Sequence, residues 1–245
     1  PGNTKTMGVP HVLKDGADSV GVPGATLRVY INIGMYSQHW LQQHNALIGL
    51  RAQKPFEIST AQKNSVYWRA TEQKFQNIAR FFMQLKPLHL ADAPGGRAYL
   101  TKDESVVNRG KLVFARTCAE CHSSKQPPAD AADKKAWFAE AVMKPDFLEN
   151  NFLSDERRYP ITKIKTNAGR ALGTNAMRGH VWANCSSENY KNLPSVGEID
   201  VYNPYTNATQ KFKTPSGGPG YLRPPSLISL WTSAPFLHNN ALGKF

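Results

Sequence analysis

Residues 118–122, CAECH, constrain this chain more than any other feature, because three chemistries compete for the same five letters. Cysteines three apart lie on one face of a helical turn, and a histidine directly after the second is placed to bind a metal lying over that face. A structural zinc site wants four ligands and usually a second close pair, yet the only other cysteine is Cys185, far along the chain in WANCSSENY. A redox dithiol opens a helix after a buried strand, whereas the residues ahead of Cys118, ESVVNRGKLVFART, read as helix with no β-branched strand run. The dithiol reading also gives His122 no role. Covalent haem attachment uses all three residues: the thiols of Cys118 and Cys121 add to the porphyrin vinyl groups, and His122 supplies a proximal nitrogen to the iron. One covalent haem c is therefore the expected cofactor.

The approach to this motif is helical. Gly110 and Phe114 are four apart, and Phe114 is four before Cys118, so one face of a helix runs into the site. TKDE at 101–104 fits a capping box with Thr101 as N-cap and Glu104 three later, which starts the helix there. The run RGKLVFARTCAECH resembles the Gly-x-x-x-Phe-x-x-x-Cys-x-x-Cys-His pattern of class I cytochromes c. That resemblance implies that Gly110 lets another helix approach closely and that Phe114 packs beside the haem.

Elsewhere the chain is uneven. Residues 1–30 are rich in Gly and Pro and read as irregular structure, with one short strand at LRVYINI. Residues 64–86 make the best helix outside the motif, with Phe75, Ile78, Phe82 and Leu85 at helical spacing and Pro87 as its stop. KPLHLADAPGGRAYL is a linker, which puts a boundary near residue 100. A helix is expected at 130–143, followed by a long loop-dominated stretch. The expected fold is mainly α: a cytochrome c-like haem domain with long loops over 101–245, behind an N-terminal extension, 1–100, carrying one amphipathic helix.

RPPSLISLWTSAPFLHNN, residues 223–240, resembles the Arg-x-Pro-Ser-Leu to Pro-Tyr-Phe-His-Asn-Gly segment near the C-terminal haem of di-haem cytochrome c peroxidases and related rubber oxygenases. Arg223, Pro225, Ser226, Leu227, Ala234, Pro235, Phe236, His238 and Asn239 match in type or order; Ile228, Ser229 and Asn240 depart from the pattern. Those enzymes use two haems, and this sequence has a single Cys-x-x-Cys-His. The resemblance thus implies either the C-terminal haem portion of a longer di-haem protein or a mono-haem relative.

The sixth iron position decides between carrier and enzyme. Methionine there gives an electron carrier with a raised potential, a second histidine lowers the potential, and an open position binds small ligands. Met177, in GTNAMRGHVW, lies 55 residues after His122, a separation comparable to that in small class I cytochromes c, and is the first candidate. His180 and His238 are the alternatives. Met143 falls in an expected helix, where core packing explains it. His11, His39, His44 and His89 lack a metal-like grouping, and no Ser-His-Asp set, phosphate loop or paired-carboxylate signature assigns a catalytic residue. Trp68, Trp137, Trp182 and Trp231 lie on candidate electron paths, although packing explains most of them. Cys185 is left as a buried thiol or an intermolecular bond.

Charge suggests the partner. A net charge of +12 and a pI of about 9.7 favour acidic partners. Basic residues are scattered and no nucleic-acid motif is present, so nucleic acid is not expected. The apolar runs IARFFMQL and LISLW are too short to span a bilayer. The expected function is one-electron transfer by a mono-haem c-type cytochrome, outside the cytoplasm, with an acidic redox protein. The other expectations are the C-terminal half of a di-haem peroxidase or oxygenase, and a cytochrome subunit of a larger electron-transfer complex. The start at Pro1, with no leader, is expected of a processed form or of a piece of something longer.

Overall fold

The computed structural model describes residues 58–84, 86–155, 157–172, 178–179, 188–233 and 236–238. The chain divides into two compact units. One joins Lys86–Arg157 to Arg223–Leu237 and carries CAECH; the other includes Arg158–Leu222. Where the sequence suggested one cut near residue 100, the CAECH unit begins at Lys86 and is interrupted by 158–222.

In the CAECH unit, helix α3 (Glu104–Thr117) leads into the motif; α1 and α2, described below, precede it in the chain. Its N-cap is Asp103, not Thr101: the Asp103 carboxylate accepts the amides of Ser105 at 2.8 Å and Val106 at 3.4 Å. An ionised carboxylate is the stronger acceptor beside the helix N-terminus, which explains why it displaces the threonine. Helix α4 (Lys134–Ala141) lies within the expected 130–143 and is capped in the same way by Asp133. Ala115 and Ala119, four apart on α3 and the turn beyond it, pack with Phe138, Ala141, Val142 and Phe147. Small residues on α3 leave room for the Phe138 ring, which is 1% exposed. Phe114 meets Phe147 edge-on at 6.3 Å, at the edge of this core. Gly110 does not play the part expected of it: it is exposed, and a Cβ built there meets nothing within 4 Å.

The other unit contains α1 (Ile58–Asn64) and α2 (Val66–Gln84). Ser65 separates them and caps α2, its hydroxyl accepting the Trp68 amide at 3.1 Å. Phe75, Ile78 and Phe82 lie on α2; Leu85 and the LRVYINI stretch lie outside the described residues. Strand β1 (Tyr159–Pro160) pairs antiparallel with β4 (Tyr221–Leu222), and between them run α5 (Ile161–Ile164), α6 (Gly169–Leu172) and α7 (Glu188–Lys191). Ile161, Ala168, Ala171 and Ile199 form the core there, with Ile164, Leu172, Val196 and Leu222 against it. Gly220 donates to the Ala171 carbonyl and accepts from Ile161. At φ +85°, with Val196 Cγ2 only 2.6 Å from where a Cβ would sit, this position demands glycine.

The mainly α expectation is overturned. The described residues are 41% helical with about 10% strand, in two small antiparallel sheets. The larger is a hairpin, β2 (Glu198–Asn203) with β3 (Ala208–Lys213), in the stretch expected to be loop. Its pattern was present in EIDVYN and ATQKFK: β-branched and aromatic residues alternate with polar ones around a Pro- and Asn-containing turn. Only Ile199 of this hairpin is buried, at 3%, so the pairing rests on main-chain bonds and cross-strand pairs such as Asp200 with Lys211.

Candidate haem-attachment site

Helix α3 passes directly into the motif. The Cys118 amide donates to the Phe114 carbonyl at 2.8 Å, and the Cys118 carbonyl accepts the amides of Cys121 at 3.1 Å and His122 at 2.8 Å. Helical bonding therefore continues for one more turn, with Cys118, Cys121 and His122 all on it. Neither Cys118 nor Cys121 is in a disulfide, and all three side chains are half-buried. The Thr117 hydroxyl donates to Val113 at 2.5 Å, which leaves its oxygen to accept the Cys118 S–H at 3.3 Å.

His122 Nδ1 lies 3.1 Å from the carbonyl oxygen of Pro225. A carbonyl only accepts, so this bond puts the ring proton on Nδ1, and Nε2 is then the nitrogen with the lone pair that a metal ligand requires. The partner is 103 residues away in sequence and is brought to the imidazole by two sets of bonds. Ser154 Oγ donates to Pro224 at 2.7 Å, Ser226 Oγ donates to Phe152 at 2.7 Å, and the Leu227 amide donates to Leu153 at 3.1 Å. These fix 224–227 onto 152–154. Asn151 then fixes 151–153 onto the motif: its Nδ2 donates to Ser123 Oγ at 3.0 Å and Phe147 O at 3.2 Å. Its Oδ1 accepts the amides of Ser124 at 3.1 Å and Leu153 at 3.0 Å. Asn151, Ser123 and Ser154 are all buried, so each bond forms away from competing water. Arg157 closes the same turn, donating to Glu120 O at 3.0 Å and Gln126 Oε1 at 2.8 Å while ion-paired with Asp155.

Among the described residues no three His, Cys, Asp or Glu side chains converge on a point where a metal ion would sit. Zinc needs all its donors on one ion, and Cys185 and His180 lie outside the described residues. A thioether-held haem does not need such convergence, since the sulfurs bond to the porphyrin periphery and only the imidazole reaches the iron. The unit is also richly apolar at its surface: Leu88, Val113, Leu148, Leu230 and Trp231 are exposed around a small core. Two thiols and an imidazole on one turn are the donor set that a thioether-held haem would take.

The remaining candidates separate. Met177, His180, His11, His39, His44, Trp182 and Cys185 lie outside the described residues. His238 is described and exposed but belongs to the other unit, so it is not brought to His122 within the CAECH unit. His89 is exposed, and Met143, 43% exposed just past α4, is not the core residue its helical position suggested. Trp68 is buried, Trp137 packs on Phe138 at 5.2 Å, and Trp231 donates to Leu88 O at 2.8 Å. Sequence reasoning missed Asn151, Ser123 and Ser154; the matched Pro225-Ser226-Leu227 was the one signal that pointed at this corner. No protein-family model, curated protein or solved structure matches the chain.

Proposed function

We propose that this chain is a mono-haem c-type cytochrome that exchanges single electrons with an acidic redox protein outside the cytoplasm. Cys118 and Cys121 would hold the group as thioethers and His122 Nε2 would be its proximal ligand. Bound there, haem supplies a one-electron iron couple. The chain's own part is to place the imidazole and set its tautomer. The observation that carries the reading is the Nδ1 bond from His122 to Pro225, which fixes the ring for ligation on its other nitrogen. Among the described residues no helix is long and apolar enough to cross a membrane. Met177 remains the first candidate for the second axial position, with His180 and His238 as alternatives.

A second reading has its own support. The segment that reaches His122, beginning Arg223-Pro224-Pro225-Ser226-Leu227, is the one resembling di-haem peroxidases and rubber oxygenases. On that reading the chain is the C-terminal half of a di-haem enzyme; membership of a larger electron-transfer complex is compatible with either.

Denaturing electrophoresis with haem staining tests attachment. Stain should stay with the wild-type polypeptide and disappear in Cys118→Ala/Cys121→Ala; complete extraction of wild-type haem by acid acetone would refute the proposal. The same holoprotein reports the sixth ligand: methionine gives a weak near-infrared band lost in Met177→Ala, and ready carbon monoxide binding by the wild type favours the enzyme.

A further inference from the structure

The net charge is not shared between the two units. Residues 86–157 and 223–237 contain 12 Lys and Arg against 11 Asp and Glu, a net +1. The rest of the sequence contains 18 against 7, a net +11. The field that draws in an acidic partner therefore does not originate around Cys118–His122. Its densest described source follows Arg157: from 158 to 187 there are five Lys and Arg and no Asp or Glu.

The fold turns these cations outward. Ile161, Ala168 and Ala171 take the inward positions of α5 and α6, and Lys163, Lys165 and Arg170 are left exposed, as is Arg178 further on. Main-chain bonds hold the frame: Ile161 N to Gly220 O, Gly220 N to Ala171 O, Lys165 N to Ile161 O and Arg178 N to Gly217 O. The Arg178 guanidinium bonds two neutral acceptors, the Lys191 carbonyl and the Asn192 side chain. No aromatic residue lies between 160 and 172 to stack on a base, and the apolar side of α5 and α6 is in the core rather than free to enter lipid.

We propose that the surface bearing Lys163, Lys165, Arg170 and Arg178 is a docking site for the acidic face of a protein partner, so that docking and electron exchange are carried by different units. The partner's being a redox protein rests on the electron-transfer reading; the place of the surface does not. Poly-L-glutamate is the probe, added to the full-length holoprotein. Lys163→Glu/Lys165→Glu/Arg170→Glu should weaken binding about tenfold or more, and the same residues changed to Gln should weaken it less. Lys102→Glu/Lys111→Glu/Lys134→Glu, an equal charge change at exposed positions of the CAECH unit, should cost no more than about twofold. Equal losses in the two Glu variants, or a loss confined to the second, would overturn the location. Tighter binding to duplex DNA or phosphatidylglycerol vesicles at matched charge, removed by the 163/165/170 changes, would overturn the acidic-protein assignment. Haem staining of the same samples separates the ideas: localised binding without stain sinks the electron-transfer reading alone, and stain without localised binding sinks the surface alone.

Discussion

Around His122 the chain is held by buried side chains: Asn151 bonds the Ser124 amide and the Ser123 hydroxyl, and Ser154 bonds the Pro224 carbonyl. Around Lys163–Arg170 it is held by the backbone itself, through a two-residue strand pair and the bonds of Gly220, while the functional side chains reach into water. One region is close to neutral and the other strongly basic. The contrast follows from the tasks proposed for them. An imidazole that ligates must keep one orientation and one tautomer, which takes directional bonds in a low-dielectric setting. Long-range attraction needs only like charges kept apart from opposite ones, on a frame stiff enough to present them.

The comparison can be broken from the core outward. Phe138→Ala removes a fully buried ring from the core that α3 and α4 share and should cost about 3–5 kcal/mol. Thermal unfolding followed by circular dichroism should shift strongly downward, while poly-L-glutamate affinity below the transition stays on the order of the wild-type value, because the substitution lies in the other unit. Collapse of both together would show that the two units stand or fall as one. A finer cut is Asn151→Ala, which orphans several buried groups beside the motif and should cost about 1–3 kcal/mol. Unfolding by urea reads it as a lower midpoint; an unchanged midpoint would mean that Asn151 is not what ties 123–124 to 151–153.

The smallest effect is in acid. Hydrogen bonds from Ser105 and Val106 hold the Asp103 carboxyl below its ordinary value of 3.8. A carboxyl lowered by folding stabilises above its unfolded value and loses that contribution as pH falls through the lowered one. Helix α3 should thus keep its cap at neutral pH and fray at its start below about pH 3.8, and Asp103→Asn, which keeps a capping oxygen, should flatten this acid step in circular dichroism. An identical acid profile in the variant would remove Asp103 as the cause.

Much of the helical structure was legible in local pattern. The 3.6-residue spacing of Phe75, Ile78 and Phe82, and of Gly110, Phe114 and Cys118, found helices because a periodic face is written into contiguous residues. The cap of α3 was misplaced by two residues, since Thr101 and Asp103 both offer an acceptor and only the local geometry selects between them. The β2–β3 hairpin was missed although its alternation was visible, because composition rich in Asn, Gly and Pro was read as loop across the whole stretch. Gly110 shows the opposite error, a family role carried to a position that faces open space.

The sequence by itself determined which residues are candidates for the proposed chemistry, since Cys118, Cys121 and His122 lie within one turn and their spacing needs no other part of the chain. It also determined the total charge. Tertiary structure alone decided that Pro225 meets His122, that Asn151 locks the turn beyond it, and that the positive charge gathers on the unit without the motif. Those outcomes depend on contacts between segments tens of residues apart, and such contacts are selected by the joint packing of the whole fold, for which no short window of sequence holds a record.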